Sequence, residues 1–155
     1  MTKTSEYKLT NAQLDAIIGD ETNLIANLSN AAALLFTNLK EINWAGFYLL
    51  EPTSGELVLG PFQGNVACIR IPVGRGVCGT SFETKKSLIV PDVNQFAGHI
   101  ACDAQSQSEI VIPLLRGNQL IGVLDIDAPI KNRFDEDDQF HLEQFVQILL
   151  KNTSL

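Results

Sequence analysis

Apolar residues recur at spacings of three and four over the first forty positions: Leu14, Ile17 and Ile18, then Leu24, Ile25, Leu28, Ala32, Leu35, Phe36 and Leu39. That period predicts helix, broken near Gly19, with Thr10 as the cap of a segment starting near Asn11. At Trp44 the pattern changes to an aromatic-rich run through Leu50. A turn at Pro52-Thr53-Ser54-Gly55 and the stretch Glu56-Leu57-Val58-Leu59 complete a hairpin. A third strand is expected over Ala67 to Ile71, a short helix from about Val77, and a short strand at Leu88-Ile89-Val90, closed by Pro91. Ile110 to Leu115 and Leu120 to Ile126, joined across Arg116-Gly117-Asn118-Gln119, form the clearest antiparallel hairpin. The acids Asp135-Glu136-Asp137-Asp138 suit the positive end of a last helix, whose apolar face is Phe140, Leu142, Phe145, Val146, Leu149 and Leu150. Helices at both ends and strands between them predict an α+β fold, a central antiparallel sheet flanked by N- and C-terminal helices, in one domain over residues 1–155. Residues 91–108 lack an apolar period. A loop of that length is usually a lid or a binding loop.

Composition narrows the function. With 155 residues and 45% hydrophobic positions the chain has material for a full core without staples. Eleven basic against eighteen acidic residues give a net charge of −7, which argues against nucleic acid or an anionic membrane as partner. The N-terminal residues show no charged-then-apolar signal pattern, and no apolar run approaches the roughly 18 residues of a membrane span. A cytoplasmic protein is expected. In a reducing compartment three cysteines are not a fixed disulfide framework. Each is a core thiol, a metal ligand or a redox-active group.

Cys68, Cys78 and Cys102 have neither thioredoxin nor zinc-knuckle spacing. Cys68 falls on a predicted strand, the usual place of a small buried residue. Cys78, in Gly74-Arg75-Gly76-Val77-Cys78-Gly79, sits in a first helical turn beside a cation, and both features favour a thiolate. The same letters match a dinucleotide fingerprint, but no parallel βαβ unit surrounds them. Cys102 lies in the polar loop, the setting of a reacting thiol, with His99 nearby as a candidate partner. Asp125 and Asp127 alternate with Ile126, so they share one face of their strand, and Glu109 opens the partner strand. The three carboxylates can therefore converge at one end of the sheet and raise one another's pKa unless a cation is bound. Trp44 and Tyr48 are candidates for an apolar pocket wall, and Phe47 for the core.

The run Gly74 to Thr80, together with Val90-Pro91-Asp92-Val93, Gly98-His99-Ile100-Ala101-Cys102-Asp103, Ser108 to Leu114 and Gly122 to Asp127, resembles the free methionine-(R)-sulfoxide reductases, single-domain enzymes of the GAF fold. The likeness spans about residues 30 to 150 and includes all three cysteines; Ala97 stands where many members have proline. The resemblance implies reduction of free methionine (R)-sulfoxide to methionine, with no metal or organic cofactor and with thioredoxin restoring the enzyme. A homodimer is the candidate assembly. It implies Cys102 as nucleophile, Cys78 or Cys68 as resolving thiol, Glu109, Asp125 and Asp127 as acids that hold the substrate and polarise its sulfoxide, and Trp44 and Tyr48 as the wall around the methyl sulfur end.

The chemistry of the residues agrees. A thiolate attacking the sulfoxide sulfur needs an acid for the oxygen, and the resulting sulfenic acid needs a second thiol. Clustered carboxylates fit a ligand with a free ammonium, which methionine within a peptide lacks. Two alternatives have other chemistry: a GAF domain that senses a small molecule without catalysis, and a Cys3His zinc site of Cys68, Cys78, Cys102 and His99.

Overall fold

A computed structural model describes residues 1–100 and 102–155; Ala101, within one of the runs quoted above, lies outside the described residues. Two helices, α1 (Lys3–Ile18) and α2 (Leu24–Asn38), precede β1 (Trp44–Glu51) and β2 (Glu56–Gly64). Then come β3 (Arg70–Pro72), α3 (Gly76–Thr84), β4 (Leu88–Val90), a 3₁₀ turn at Val93–Gln95, β5 (Ser108–Arg116), β6 (Gln119–Ala128) and α4 (Glu136–Leu150). The strands form one antiparallel sheet in the order β3-β2-β1-β6-β5-β4. The expected α+β class with a central antiparallel sheet is what the chain adopts. Among the described residues no helix is long and apolar enough to cross a membrane.

Side chains alternate across the sheet, and the two faces do different work. Ala45 and Phe47 of β1, Ile110, Ile112 and Leu114 of β5, and Leu124, Ile126 and Ala128 of β6 lie in one cluster with the buried residues of α1, α2 and α4. Trp44, Tyr48, Val111 and Val123 point the other way, into a second cluster with Val77 and Cys78 of α3. Register fixes this division. Trp44 pairs with Asp127 and Gly46 with Asp125, while Glu109 pairs with Asp127 and Val111 with Asp125. The three acids thus share the α3 side of the sheet.

Helix ends follow their chemistry. Asp135 caps α4 by accepting from the Asp137 and Asp138 backbone N–H groups, and Asp138 returns the bond to the Asp135 N–H. Asn23 caps α2 through the Ala26 N–H. The first helix departs from expectation: its cap is Thr2, eight residues earlier than Thr10, whose hydroxyl instead donates to the Glu6 carbonyl inside the helix. The first turns of α1 are polar, so no apolar stripe announces them. On α4 Phe140 is exposed, and the buried neighbour is His141, stacked on Tyr7 with ring centroids 5.1 Å apart. Ile17 and Ile25 are likewise exposed despite fitting the apolar period. The third strand begins at Arg70, so Cys68 lies in the loop before it and not on the strand.

Candidate active site

A cavity of about 40 Å³ opens on the α3 face in the disulfide-bonded state. Trp44 and Tyr48 wall it, Cys78 and the carboxylates Glu109, Asp125 and Asp127 line it, and Cys102 and His99 come from the loop above. The candidates drawn from strands, helix and loop therefore meet in one place. Phe47 is fully buried on the opposite face of β1.

The loop cysteine is covalently paired. Cys102 forms a disulfide with Cys68, 34 positions away in sequence, with Cα atoms 5.3 Å apart, inside the normal range for such a bond. Two β1 side chains hold the loop that bears Cys68. The Tyr48 hydroxyl donates to the Cys68 carbonyl at 2.9 Å, and the Trp44 indole N–H donates to the Asn65 carbonyl at 3.1 Å. Trp44 stacks on Tyr48 and Phe62, with centroids 6.0 and 5.2 Å away. The Cys102 loop is held from the other side. Asn43 donates to the Asp103 carboxylate at 3.3 Å and to the Ser106 hydroxyl at 3.2 Å, and both partners line the cavity. The Asn43 backbone N–H bonds to the Asp127 carbonyl.

Cys78 differs from expectation. It is buried on α3, with a free thiol, and burial together with the charges of Asp125, Glu109 and Asp127 pushes that thiol well above its ordinary value. Arg75 stands exposed in water at the helix start, so its field is screened while the three acids act through protein. A thiolate is not favoured here. The Gly74-Arg75-Gly76 turn serves the helix entry: both glycines take positive φ, 87° and 63°. Gly79 lies so close to the Pro72 carbonyl that a Cβ would come within 2.5 Å of its oxygen. Those needs account for all three glycines of the fingerprint letters.

The carboxylates are not solvent-exposed strand ends. Glu109 and Asp125 are each 6% exposed. Burial, then the charge of Asp125 and of Asp127, lifts Glu109 well above the usual carboxylate range. Burial and the charge of Asp125 do the same to Asp127. Burial also raises Asp125, but hydrogen bonds from Glu109, Cys78 and Asp127 oppose the rise. Hydrogen bonding thus favours the charged form of Asp125, while burial and neighbouring charge favour the protonated form of Glu109. Asp125 Oδ1 is buried without a hydrogen-bond partner among the described residues. His99 Nε2 lies 3.9 Å from Glu109 Oε1, and burial lowers the imidazole against the pull of Asp125, which keeps it neutral at neutral pH. The four residues of the Cys3His alternative do not assemble as a zinc set, since two of their sulfurs are bonded to each other.

Asn43, Asp103 and Ser106 were not visible as site residues in the sequence. Asn43 stands one residue before β1, and only the two loop contacts reveal its part.

Comparison with known proteins places this geometry. The family profile described as GAF domain matches residues 26–149. The free methionine-R-sulfoxide reductase of Escherichia coli strain K12 is 53% identical over 97% of this chain and 90% of its own length. The solved structure of fRMsr of Staphylococcus aureus in its reduced form is 55% identical, with a TM-score of 0.90 over 94% of each chain. The free methionine-R-sulfoxide reductase of Neisseria meningitidis, solved in complex with its substrate, is 43% identical, with a TM-score of 0.94 over 98% of this chain and 90% of that one. By sequence, fold and extent of match, the chain is a GAF domain and belongs to the family of free methionine-R-sulfoxide reductases.

Proposed function

We propose that this chain reduces free methionine (R)-sulfoxide to methionine, with Cys102 as nucleophile, Glu109 as acid and Cys68 as resolving thiol. The reduced Cys102 thiolate attacks the sulfoxide sulfur while Glu109 gives its proton to the oxygen. The oxygen passes to Cys102 as a sulfenic acid, the sulfoxide sulfur is reduced by two electrons, and methionine leaves. The Cys68 thiol then attacks the sulfenic sulfur, water departs, and the Cys68–Cys102 disulfide closes. An external dithiol of the thioredoxin type opens that bond by exchange and restores both thiols. Cytoplasmic placement, where thioredoxin keeps thiols reduced, and a homodimeric assembly belong to the same proposal.

The observation that carries this reading is the Cys68–Cys102 bond beside a cavity lined by buried carboxylates. A protonated Glu109 is the acid the first step requires. Asp125, with an unpartnered buried oxygen, matches the ammonium of a free amino acid, and Asp127 supports it. Trp44 and Tyr48 offer the methyl sulfur end an apolar wall.

The test is consumption of free methionine (R)-sulfoxide, against the (S)-epimer and a peptide-bound sulfoxide, with dithiothreitol and then thioredoxin. Consumption of the free (R)-epimer alone is expected, and Cys102→Ser should show no turnover even once. Inertness of the folded, reduced protein would leave ligand sensing as the better account.

A further inference from the structure

Cys78 has no step in the proposed cycle, yet it is buried at the floor of the cavity beside the acids. The Cys78 sulfur and one oxygen each of Glu109 and Asp125 lie within 4.8 Å of one another, and all three residues are buried. A tetrahedral zinc ion, with bonds of about 2.3 Å to sulfur and 2.0–2.2 Å to oxygen, sets its donors roughly 3.5 Å apart, so movements on the order of 1 Å close this set. His99 stands beside the set, its Nε2 3.9 Å from Glu109 Oε1 but outside the 4.8 Å group, and swings inward to serve as a fourth donor. A second observation pointing to a cation is Asp125 Oδ1, enclosed in protein with no donor among the described residues.

We propose that Cys78, Glu109 and Asp125, with His99 as the fourth donor, form an inhibitory site for a thiophilic divalent cation such as Zn²⁺. The donor set is mixed: one sulfur, two carboxylate oxygens and one imidazole nitrogen, a combination that suits zinc better than magnesium or calcium. Binding exchanges the Cys78 and Glu109 protons for the ion, and a neutral His99 is ready to ligate without losing one. The ion and the substrate ammonium require the same Asp125 oxygen, so they exclude each other. The ion also removes the proton that Glu109 delivers. The inhibition rests on the reductase reading, whereas the binding does not.

The oxidised protein provides a direct test, because the Cys68–Cys102 bond leaves Cys78 as its one free thiol. Titration with Zn²⁺ in a calorimeter should give one ion per chain. Cd²⁺ should produce the near-ultraviolet thiolate-to-metal charge-transfer band. Cys78→Ser should lose that band and weaken Zn²⁺ roughly tenfold or more, a loss of the size that follows from disturbing a metal site. Glu109→Gln, which keeps the thiol and the shape of the cavity, should also weaken Zn²⁺ while retaining the band, and free methionine sulfoxide should displace the ion. Absence of binding to the folded oxidised protein, or a Zn²⁺ affinity unchanged in both variants, overturns the site. Turnover assayed in the presence of a chelator reports on the reductase reading separately.

Discussion

Glu109 and Asp125 occupy neighbouring strands of one buried cluster, yet their environments separate them. Both are pushed up by burial, but hydrogen bonds oppose the rise at Asp125, whereas the charges of Asp125 and Asp127 add to it at Glu109. Glu109→Gln, which cannot release a proton to the oxygen, should lower the single-turnover rate about a hundredfold or more. The sign of the pH effect follows: the proposed first step needs protonated Glu109, so the rate should fall as pH rises through its elevated pKa, and the amide variant should lack that alkaline decline. Rapid quench over a pH series checks both. At Cys68 the expectation is a different kind of defect. Cys68→Ser should release one methionine per chain and then stop, with Cys102 trapped as a sulfenic acid that a mass shift from a dimedone adduct will report. Continued cycling in that variant with thioredoxin would transfer the resolving role to Cys78.

At the level of elements, β1 holds the loops of both disulfide cysteines. Tyr48 on that strand grips the loop of Cys68 by its carbonyl, and Asn43 just ahead of it grips the loop of Cys102. Tyr48→Phe keeps the ring stack and loses one hydrogen bond, worth about 1 kcal/mol. It should slow closure of the disulfide about fivefold and leave methionine release unchanged, which stopped-flow tryptophan fluorescence and quench measurements can separate. A second element-level expectation concerns the helices on the far side of the sheet. Burial raises Asp135 at the start of α4, but the ammonium of Lys3, 2.9 Å away, and the Asp138 backbone N–H prevail and hold it at about 2. A carboxyl depressed in the folded state stabilises above its unfolded pKa of about 3.9 and loses that contribution as pH falls through about 2. Acid titrations followed by far-ultraviolet circular dichroism should show Lys3→Ala less stable than the parent at pH 5, with the gap closing between pH 4 and 2.

For the whole molecule, the disulfide changes more than chemistry. It joins positions 34 apart and closes a loop containing β3, α3 and β4, which restricts the unfolded chain by about 4 kcal/mol in the chain-entropy account. The oxidised form should melt higher than the reduced form by on the order of 10 °C, as calorimetry on the two forms can show. Much of the architecture was legible in the amino-acid order. The β5–β6 hairpin declared itself by alternation and a Gly117-Asn118 turn, and α4 by its acidic first turn. Asp125 and Asp127 were legible as same-face residues because a strand has a period of two. Their burial was not, since it depends on α3 and the 91–108 loop folding over them. Nor was the state of Cys78, where a helix start and Arg75 spoke for a thiolate and three acids brought in by distant strands decided otherwise. The start of α1 was hidden because Lys3 to Glu6 bury no continuous apolar stripe, and Asn43 because its partners lie some sixty residues on.

The two faces of the sheet also set how such a protein can diverge. On β6, Asp125 and Asp127 look into the cavity and Val123 packs beneath it on the same face, while Leu124, Ile126 and Ala128 support the helices. Heredity can therefore redraw the ligand through the odd-numbered codons of this strand and conserve the scaffold through the even ones, so a new specificity need not wait for a new fold.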